Sequence, residues 1–151
     1  MKISSFFGVF LALFLASNLF GQDADADKLI GVWESGNGKA RVKIEKISNK
    51  YFGKIVWLRE PIDPETKQPK LDKNNPDASL RTTPLKGYRM LKDFVYKNNE
   101  WTDGSIYDPE SGSTYSCTIK MKDDNTLEIR GYVGVKALGR TDVWKRMELK
   151  K

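Results

Sequence analysis

Short stretches in which apolar and polar residues alternate with a period of two, each closed by a tight polar turn, restrict this chain more than any other feature. Val42 and Ile44 alternate with Arg41, Lys43 and Glu45. Tyr115, Cys117, Ile119 and Met121 alternate with Thr114, Ser116, Thr118 and Lys120, and Leu127, Ile129 and Gly131 with Glu128, Arg130 and Tyr132. That period gives a strand one buried face and one wet face. Between the runs stand Ser35-Gly36-Asn37-Gly38, Ser48-Asn49-Lys50, Lys97-Asn98-Asn99, Asp108-Pro109-Glu110-Ser111-Gly112 and Lys122-Asp123-Asp124-Asn125. Their Gly, Asn, Asp and Pro residues reverse a chain within a few positions. A sustained 3.6-residue stripe is missing, apart from a short hint between Leu80 and Leu91. The reading is all-β, with eight strands near 29–34, 39–47, 51–58, 88–96, 100–107, 114–121, 126–132 and 141–147. Tight turns join sequence neighbours, so the strands run antiparallel.

Eight antiparallel strands can close into a barrel, which leaves no exposed edge. A two-sheet sandwich is the alternative. The two ends of the pattern favour closure, which makes the first and last strands neighbours. Gly31-Val32-Trp33 opens the first strand and Trp144-Lys145-Arg146 lies in the last. Gly31 lets the chain bend, Trp33 plugs the closed end, and Arg146, with Arg140 as second choice, caps the indole face by a cation–π contact. The interior of an eight-stranded barrel is just wide enough for side chains or one small ligand.

The N-terminus reads differently. Met1-Lys2 is followed by an apolar run, Phe6 to Ala16, and then by polar Asp23-Ala24-Asp25-Ala26-Asp27. A basic start, a short apolar core and a small residue before a polar stretch describe a secretory signal peptide. The run falls short of the roughly 20 residues of a membrane span. Residues 1–21 are therefore expected to be a signal and residues 22–151 one β-barrel domain, periplasmic or secreted. A domain of that size can bury about two-thirds of its unfolded surface without staples. Cys117 stands alone, so no intramolecular disulfide forms, and the chain has no histidine. Ser-His-Asp and Cys-His catalysis, histidine metal sites and a histidine pH switch are removed together. No cofactor and no metal are expected.

One connection breaks the short-turn pattern. Arg59 to Lys86 holds Pro61, Pro64, Pro69, Pro76 and Pro84 among many polar residues. Loops of this length are lids or disordered segments. Leu71, Leu80 and Leu85 give this one apolar feet to set on a barrel.

Read in order, Gly31-Val32-Trp33, Gly53-Lys54-Ile55-Val56-Trp57-Leu58, Asp72-Lys73-Asn74-Asn75-Pro76-Asp77, Leu80-Arg81, Pro84-Leu85-Lys86-Gly87, Gly104-Ser105-Ile106-Tyr107-Asp108-Pro109, Gly112-Ser113-Thr114-Tyr115, Leu127-Glu128-Ile129-Arg130-Gly131 and Trp144-Lys145-Arg146 resemble the small exported bacterial proteins known as domain of unknown function 2147. The resemblance implies a calycin, lipocalin-like barrel in the cell envelope, and it brings no assigned activity with it. Relatives in that family carry cysteines near the positions held here by Phe52 and Tyr132, so a disulfide of theirs has no counterpart in this chain.

Asp72, Asn74, Asn75 and Asp77 offer clustered oxygens of the kind that suit calcium, but Pro76 and Asp77 break the EF-hand pattern. Asx side chains satisfying the loop's own backbone are the simpler reading. Asp108 and Glu110 could serve as an acid–base pair, yet Asp-Pro-x-Ser-Gly between two strands is hairpin chemistry. Cys117 reads as a small buried residue. Lys39, Arg41, Lys43, Lys46, Lys50, Lys54 and Arg59 could meet an anionic membrane surface, although their alternation with apolar residues describes the wet face of strands; export argues against nucleic acid. The candidate ligand-binding residues are Trp57, Asp72, Asn74, Asn75, Arg81, Trp101, Tyr107 and Tyr115, with Gly31, Trp33, Trp144 and Arg146 structural and no catalytic residue. The leading function is a non-enzymatic envelope protein holding a small, partly apolar or amphipathic ligand. The alternatives are a filled barrel acting as a structural or interaction protein and a carboxylate-dependent hydrolase. N-terminal sequencing of the protein recovered from cells is expected to begin at or near Gln22, and a chain beginning at Met1 would remove the signal.

Overall fold

The alternating runs form eight strands in the computed structural model, which describes residues 17–148; residues 1–16, with the apolar run of the expected signal, lie outside the described residues. The strands are β1 (Gly31–Glu34), β2 (Ala40–Ile47), β3 (Lys50–Leu58), β4 (Arg89–Lys97), β5 (Glu100–Asp108), β6 (Ser113–Asp123), β7 (Thr126–Tyr132) and β8 (Arg140–Arg146). Each pairs antiparallel with its neighbour in the chain, and β8 returns to β1, so the sheet is a closed barrel. The turn chemistry is local. Ser48 and Asn49 between β2 and β3, and Asn98 and Asn99 between β4 and β5, all have positive φ. That is the backbone of the two-residue hairpin turns whose twist matches that of the strands.

The connections sort the barrel into two ends. Residues 48–49, 98–99 and 124–125 lie at one end, which the segment before β1 closes. Residues 35–39, 59–88, 109–112 and 133–139 lie at the other. Trp33, Ile44, Phe94, Trp101, Ile119, Leu127 and Ile129 are all buried and fill the closed half.

Closure rests on few strand contacts. Only Trp33↔Arg146 and Glu34↔Lys145 register across β1 and β8. The arginine compensates. Its guanidinium lies 4.1 Å over the Trp33 ring. It donates from Nη2 to Lys28 O at 2.7 Å, from Nη1 to Ile30 O at 3.1 Å and from Nε to Asp124 O at 2.7 Å. Trp33 Nε1 donates to Leu29 O at 2.9 Å. Three successive carbonyls before β1 are thus satisfied by one ion and one indole, as backbone groups near a buried ring must be. Gly31 sits at φ 150°, and a Cβ there would meet Arg146 Nη1 at 2.7 Å.

A helix the alternation did not announce, α1 (Ser17–Asp27), precedes β1 and spans the expected cleavage point after Gly21. It lacks an apolar stripe, and tertiary contacts hold its last turn. Trp101 Nε1 donates to Ala26 O at 3.2 Å, Tyr51 Oη donates to Asp27 at 2.7 Å, and Lys46 pairs with the same carboxylate at 3.0 Å. The hydrogen bond from Tyr51, followed by Lys46, lowers the Asp27 carboxyl below its ordinary range.

Trp33→Ala removes a fully buried indole and is expected to cost about 3–5 kcal/mol. Trp57→Ala, on the outer face, should cost below about 1 kcal/mol. Urea unfolding of the two variants checks the contrast, and equal losses would deny Trp33 its role as the plug.

Candidate functional site

The open half of the barrel is hollow. There β2 contributes only the methyl of Ala40, while Ile55, Leu58, Met90, Ile106 and Tyr115 form the wall and Trp144 the floor of a cavity of about 670 Å³. That volume falls within the range of small-molecule sites, roughly 300–1,000 Å³. Leu71 and Leu85 border it from the long connection.

The connection, residues 59–88, is ordered by its own backbone. Ile62 bridges Pro69 and Leu71 bridges Pro84. Lys70 N donates to Pro61 O, Asp72 N to Thr83 O and Leu85 N to Lys70 O, each at 2.9 Å. Inside the first bend the buried Asp63 carboxylate accepts from the amides of Glu65 and Thr66 and pairs with Lys73. The Lys73 contact first, then those amides, pull the Asp63 carboxyl down to about 2.

A second polar cluster buckles the loop to the barrel. Ile106 faces inward beside Leu91 and Tyr115. Strand alternation then turns Tyr107 to the outer side, where the loop buries it. Its hydroxyl donates to Asp72 Oδ1 at 2.7 Å, and Asn75 Nδ2 donates to Asp72 Oδ2 at 2.7 Å. Burial, and then the Asp72 carboxylate, raise the Tyr107 hydroxyl well above its usual range. Asp72 is fully buried without an ion-pair partner among the described residues, so these donors stand in for water. Asn74 fastens the next turn, donating to Pro109 O at 3.2 Å and Glu110 O at 2.9 Å. Gly112, at φ 70°, permits this approach, because a Cβ there would come within 2.0 Å of Asn74 O.

The rim is charged and mostly self-neutralised. Lys39 pairs with Glu110 across the mouth at 2.6 Å, Lys70 with Glu60 at 3.2 Å, and Lys73 with Asp63. Asp142 accepts from Trp144 Nε1 at 2.7 Å and from Gly36 N at 3.2 Å. Arg59 borders the cavity without an ion pair among the described residues.

The residues singled out in the sequence separate accordingly. Asn74, Tyr107 and Tyr115 border the cavity. Asp72 and Asn75 hold the loop behind it. Trp57 lies outside: the β2–β3 register shifts between Arg41 and Val42, so Trp57 falls opposite Arg41 with the guanidinium 4.4 Å over its ring. Trp101 is interior but at the closed end, because it begins β5. Arg81 is turned away from the cavity and donates from Nε to Asn75 O at 2.7 Å. Leu80, expected as an apolar foot, is 40% exposed. Trp144, expected at the closure, is the cavity floor. Gly31, Trp33 and Arg146 meet at the closed end. Asp77 N-caps a 3₁₀ turn at Ala78–Leu80, accepting from Ser79 N. Asp63 and Asp142 carry no sequence motif, although Asp142 could have been found from its spacing of two before Trp144.

Three groups of potential reactivity are held by their surroundings. Cys117 is buried and its thiol is pushed up to about 12 by burial. The hydroxyl of Tyr107 is committed to Asp72 and held protonated. Asp108 is committed to its own turn, accepting from Glu110 N and Ser111 Oγ.

Comparison with known proteins gives two matches. A family model described as an uncharacterized protein conserved in bacteria (DUF2147) matches residues 31–146. A solved structure from the human pathogen Helicobacter pylori, described as belonging to the lipocalin family, superposes with a TM-score of 0.67 at 23% identity, covering 80% of this chain and 83% of that one. No curated protein matches.

Asp63 binds its proton less readily in the folded loop, with a carboxyl at about 2 against 3.8, so its contribution is present above about pH 4 and is lost as the pH falls toward 2. The gap in urea midpoint between the native chain and Asp63→Asn is expected to close over that window. Tyr107→Phe leaves the buried Asp72 short of one donor and should cost about 1–3 kcal/mol.

Proposed function

This chain belongs to the DUF2147 family of bacterial proteins, and from that membership we propose that it is an exported carrier that holds one small, partly apolar molecule in the open half of its barrel. The observation that carries the reading is the cavity of about 670 Å³, with apolar walls and a charged rim, under an ordered loop. A filled barrel would leave no such space. Ile55, Met90, Ile106, Leu71 and Leu85 supply the apolar contacts. Arg59 and the Tyr115 hydroxyl are left to meet a polar end. Burying apolar ligand surface provides the affinity, and a few placed polar groups provide the orientation.

The loop 59–88 serves as the lid. Its five prolines restrict the unfolded chain and so lower the entropy lost on ordering. Asp72, Asn74 and Asn75 buckle it to the wall and to the turn between β5 and β6. The basic start and short apolar run near the N-terminus support delivery to the periplasm or beyond. The absence of histidine fits a binding role.

Native mass spectrometry of protein from its own host is expected to find a co-purified small molecule. Titration with an environment-sensitive fatty-acid-like probe then tests the cavity directly. Ala40→Phe, which puts a ring into the hollow half, should weaken the probe by about tenfold or more while urea unfolding stays cooperative. Replacing residues 62–82 by a short glycine-serine linker should change probe affinity or exchange rate. If the folded parent captures no molecule and binds no probe, the carrier reading gives way to a structural or interaction role.

A further inference from the structure

The most exposed large aliphatic side chains among the described residues stand in one connection. Val133 is 76% exposed, Val135 59% and Leu138 83%, whereas the next, Ile62, is 48%. All three lie between β7 and β8, at the same end of the barrel as the cavity mouth. Elsewhere the connections follow the ordinary rule: residues 48–49, 98–99 and 109–112 are polar, proline or glycine. Single exposed aliphatics need no explanation, but three within six residues do.

Part of the backbone of this loop is satisfied from within. Val135 N donates to Val133 O at 2.9 Å, Leu138 N to Val135 O at 3.1 Å and Gly139 N to Lys136 O at 3.2 Å. Arg130 completes the set, donating from Nε to Lys136 O at 2.8 Å and from Nη2 to Ala137 O at 3.0 Å, while its Nη1 holds Thr141 Oγ1 at 2.8 Å. The tip is therefore held in shape by its own backbone and by Arg130. Satisfied backbone is what a segment needs to leave water for lipid, where an unpaired amide or carbonyl is costly.

Charge names the partner. From Ile129 to Thr141 the chain carries Arg130, Lys136 and Arg140 and no acidic residue, in a protein of formal net charge +6. Lys136 is answered by Glu100 at 3.2 Å, while Arg140 is exposed. A protein interface of stable size is centred on aromatic anchors in a packed patch. This tip is small and aliphatic, with cations at its flanks, which is the composition of an element lying in the interface of an anionic bilayer.

We propose that the loop between β7 and β8 is a membrane-docking tip: Val133, Val135 and Leu138 enter the interfacial layer of an anionic phospholipid bilayer while Arg140 faces its headgroups. Docked in this way, the barrel holds its open end close to the lipid surface. The assignment does not depend on what the cavity holds.

The test uses the mature chain, residues 22–151, with a dye that brightens and shifts to the blue in apolar surroundings. Leu138→Cys carries it at the tip, and Lys122→Cys carries it near the closed end. Cys117 is buried and stays unlabelled. With vesicles of phosphatidylcholine containing about one-third phosphatidylglycerol, the tip dye is expected to brighten and shift while the dye at position 122 does not. Phosphatidylcholine alone, or salt near 1 M, which shortens the Debye length to about 3 Å, should weaken the response. Adding Val133→Asp and Val135→Asp to the labelled Leu138→Cys chain should weaken partitioning about tenfold or more with an unchanged thermal melt. No response at the tip overturns the proposal. So does an equal response at position 122, which would mean attachment through another part of the chain, or a tip response that survives both aspartates. A tip response without vesicles that rises with protein concentration, and disappears with the aspartates, would assign the patch to self-association instead.

Discussion

Arg146 and the indole of Trp33 hold the ring of strands together. β1 is four residues long and meets β8 in only two register pairs, so the backbone ladder alone makes a thin seam. The guanidinium thickens it by three hydrogen bonds to carbonyls and by lying on the indole face. Those carbonyls belong to the segment before β1 and to the turn between β6 and β7. One side chain therefore ties the first strand, the last strand and the plug together. Its partners are dipoles and a π face rather than carboxylates, so closure depends little on salt.

From that seam the interior divides by side-chain size. Near the closure, Trp33, Trp101 and Phe94 fill the bore, and Ala26 and Leu29 seal it from beneath. Toward the mouth Ala40 and Gly131 leave space between larger wall residues, and the fill stops at Trp144. A barrel of eight strands has room for side chains or a ligand but not for both at one level. The solid half supplies stability, which frees the other half to remain hollow.

The lid is fixed to the outer wall through Tyr107 and to the turn between β5 and β6 through Asn74. Asp72 is buried yet uses only neutral donors, the Tyr107 hydroxyl and the Asn75 amide. Asp63 is held by Lys73 and two amides at the other bend. The loop's polar residues are thereby consumed in ordering it, and Leu71 and Leu85 are left to face the interior. The polar residues of a long loop can thus look like ligand contacts in a sequence while serving the loop's own folding.

Local chemistry determined the strands, the turns and the closing pair of Gly31-Trp33 with Arg146, because a period of two and a positive-φ turn are properties of neighbouring residues. The placement of β1–β8 within two residues of the alternating runs follows from that. Function-bearing positions were legible where parity held, as for Tyr115. Parity failed at Trp57. Ile55 faces inward, and two residues on Trp57 should follow, but the register shift at Arg41 and Val42 inserts one residue and turns the indole out to Arg41. Trp101 kept its parity, yet its level along the bore depends on where β5 begins. The helix α1 has no stripe of its own and is anchored by Trp101, Tyr51 and Lys46, residues distant in sequence. Whether the bore was hollow was likewise undecided until the strands closed. A cavity is the volume that side chains from many strands fail to fill, and no single run of sequence records it.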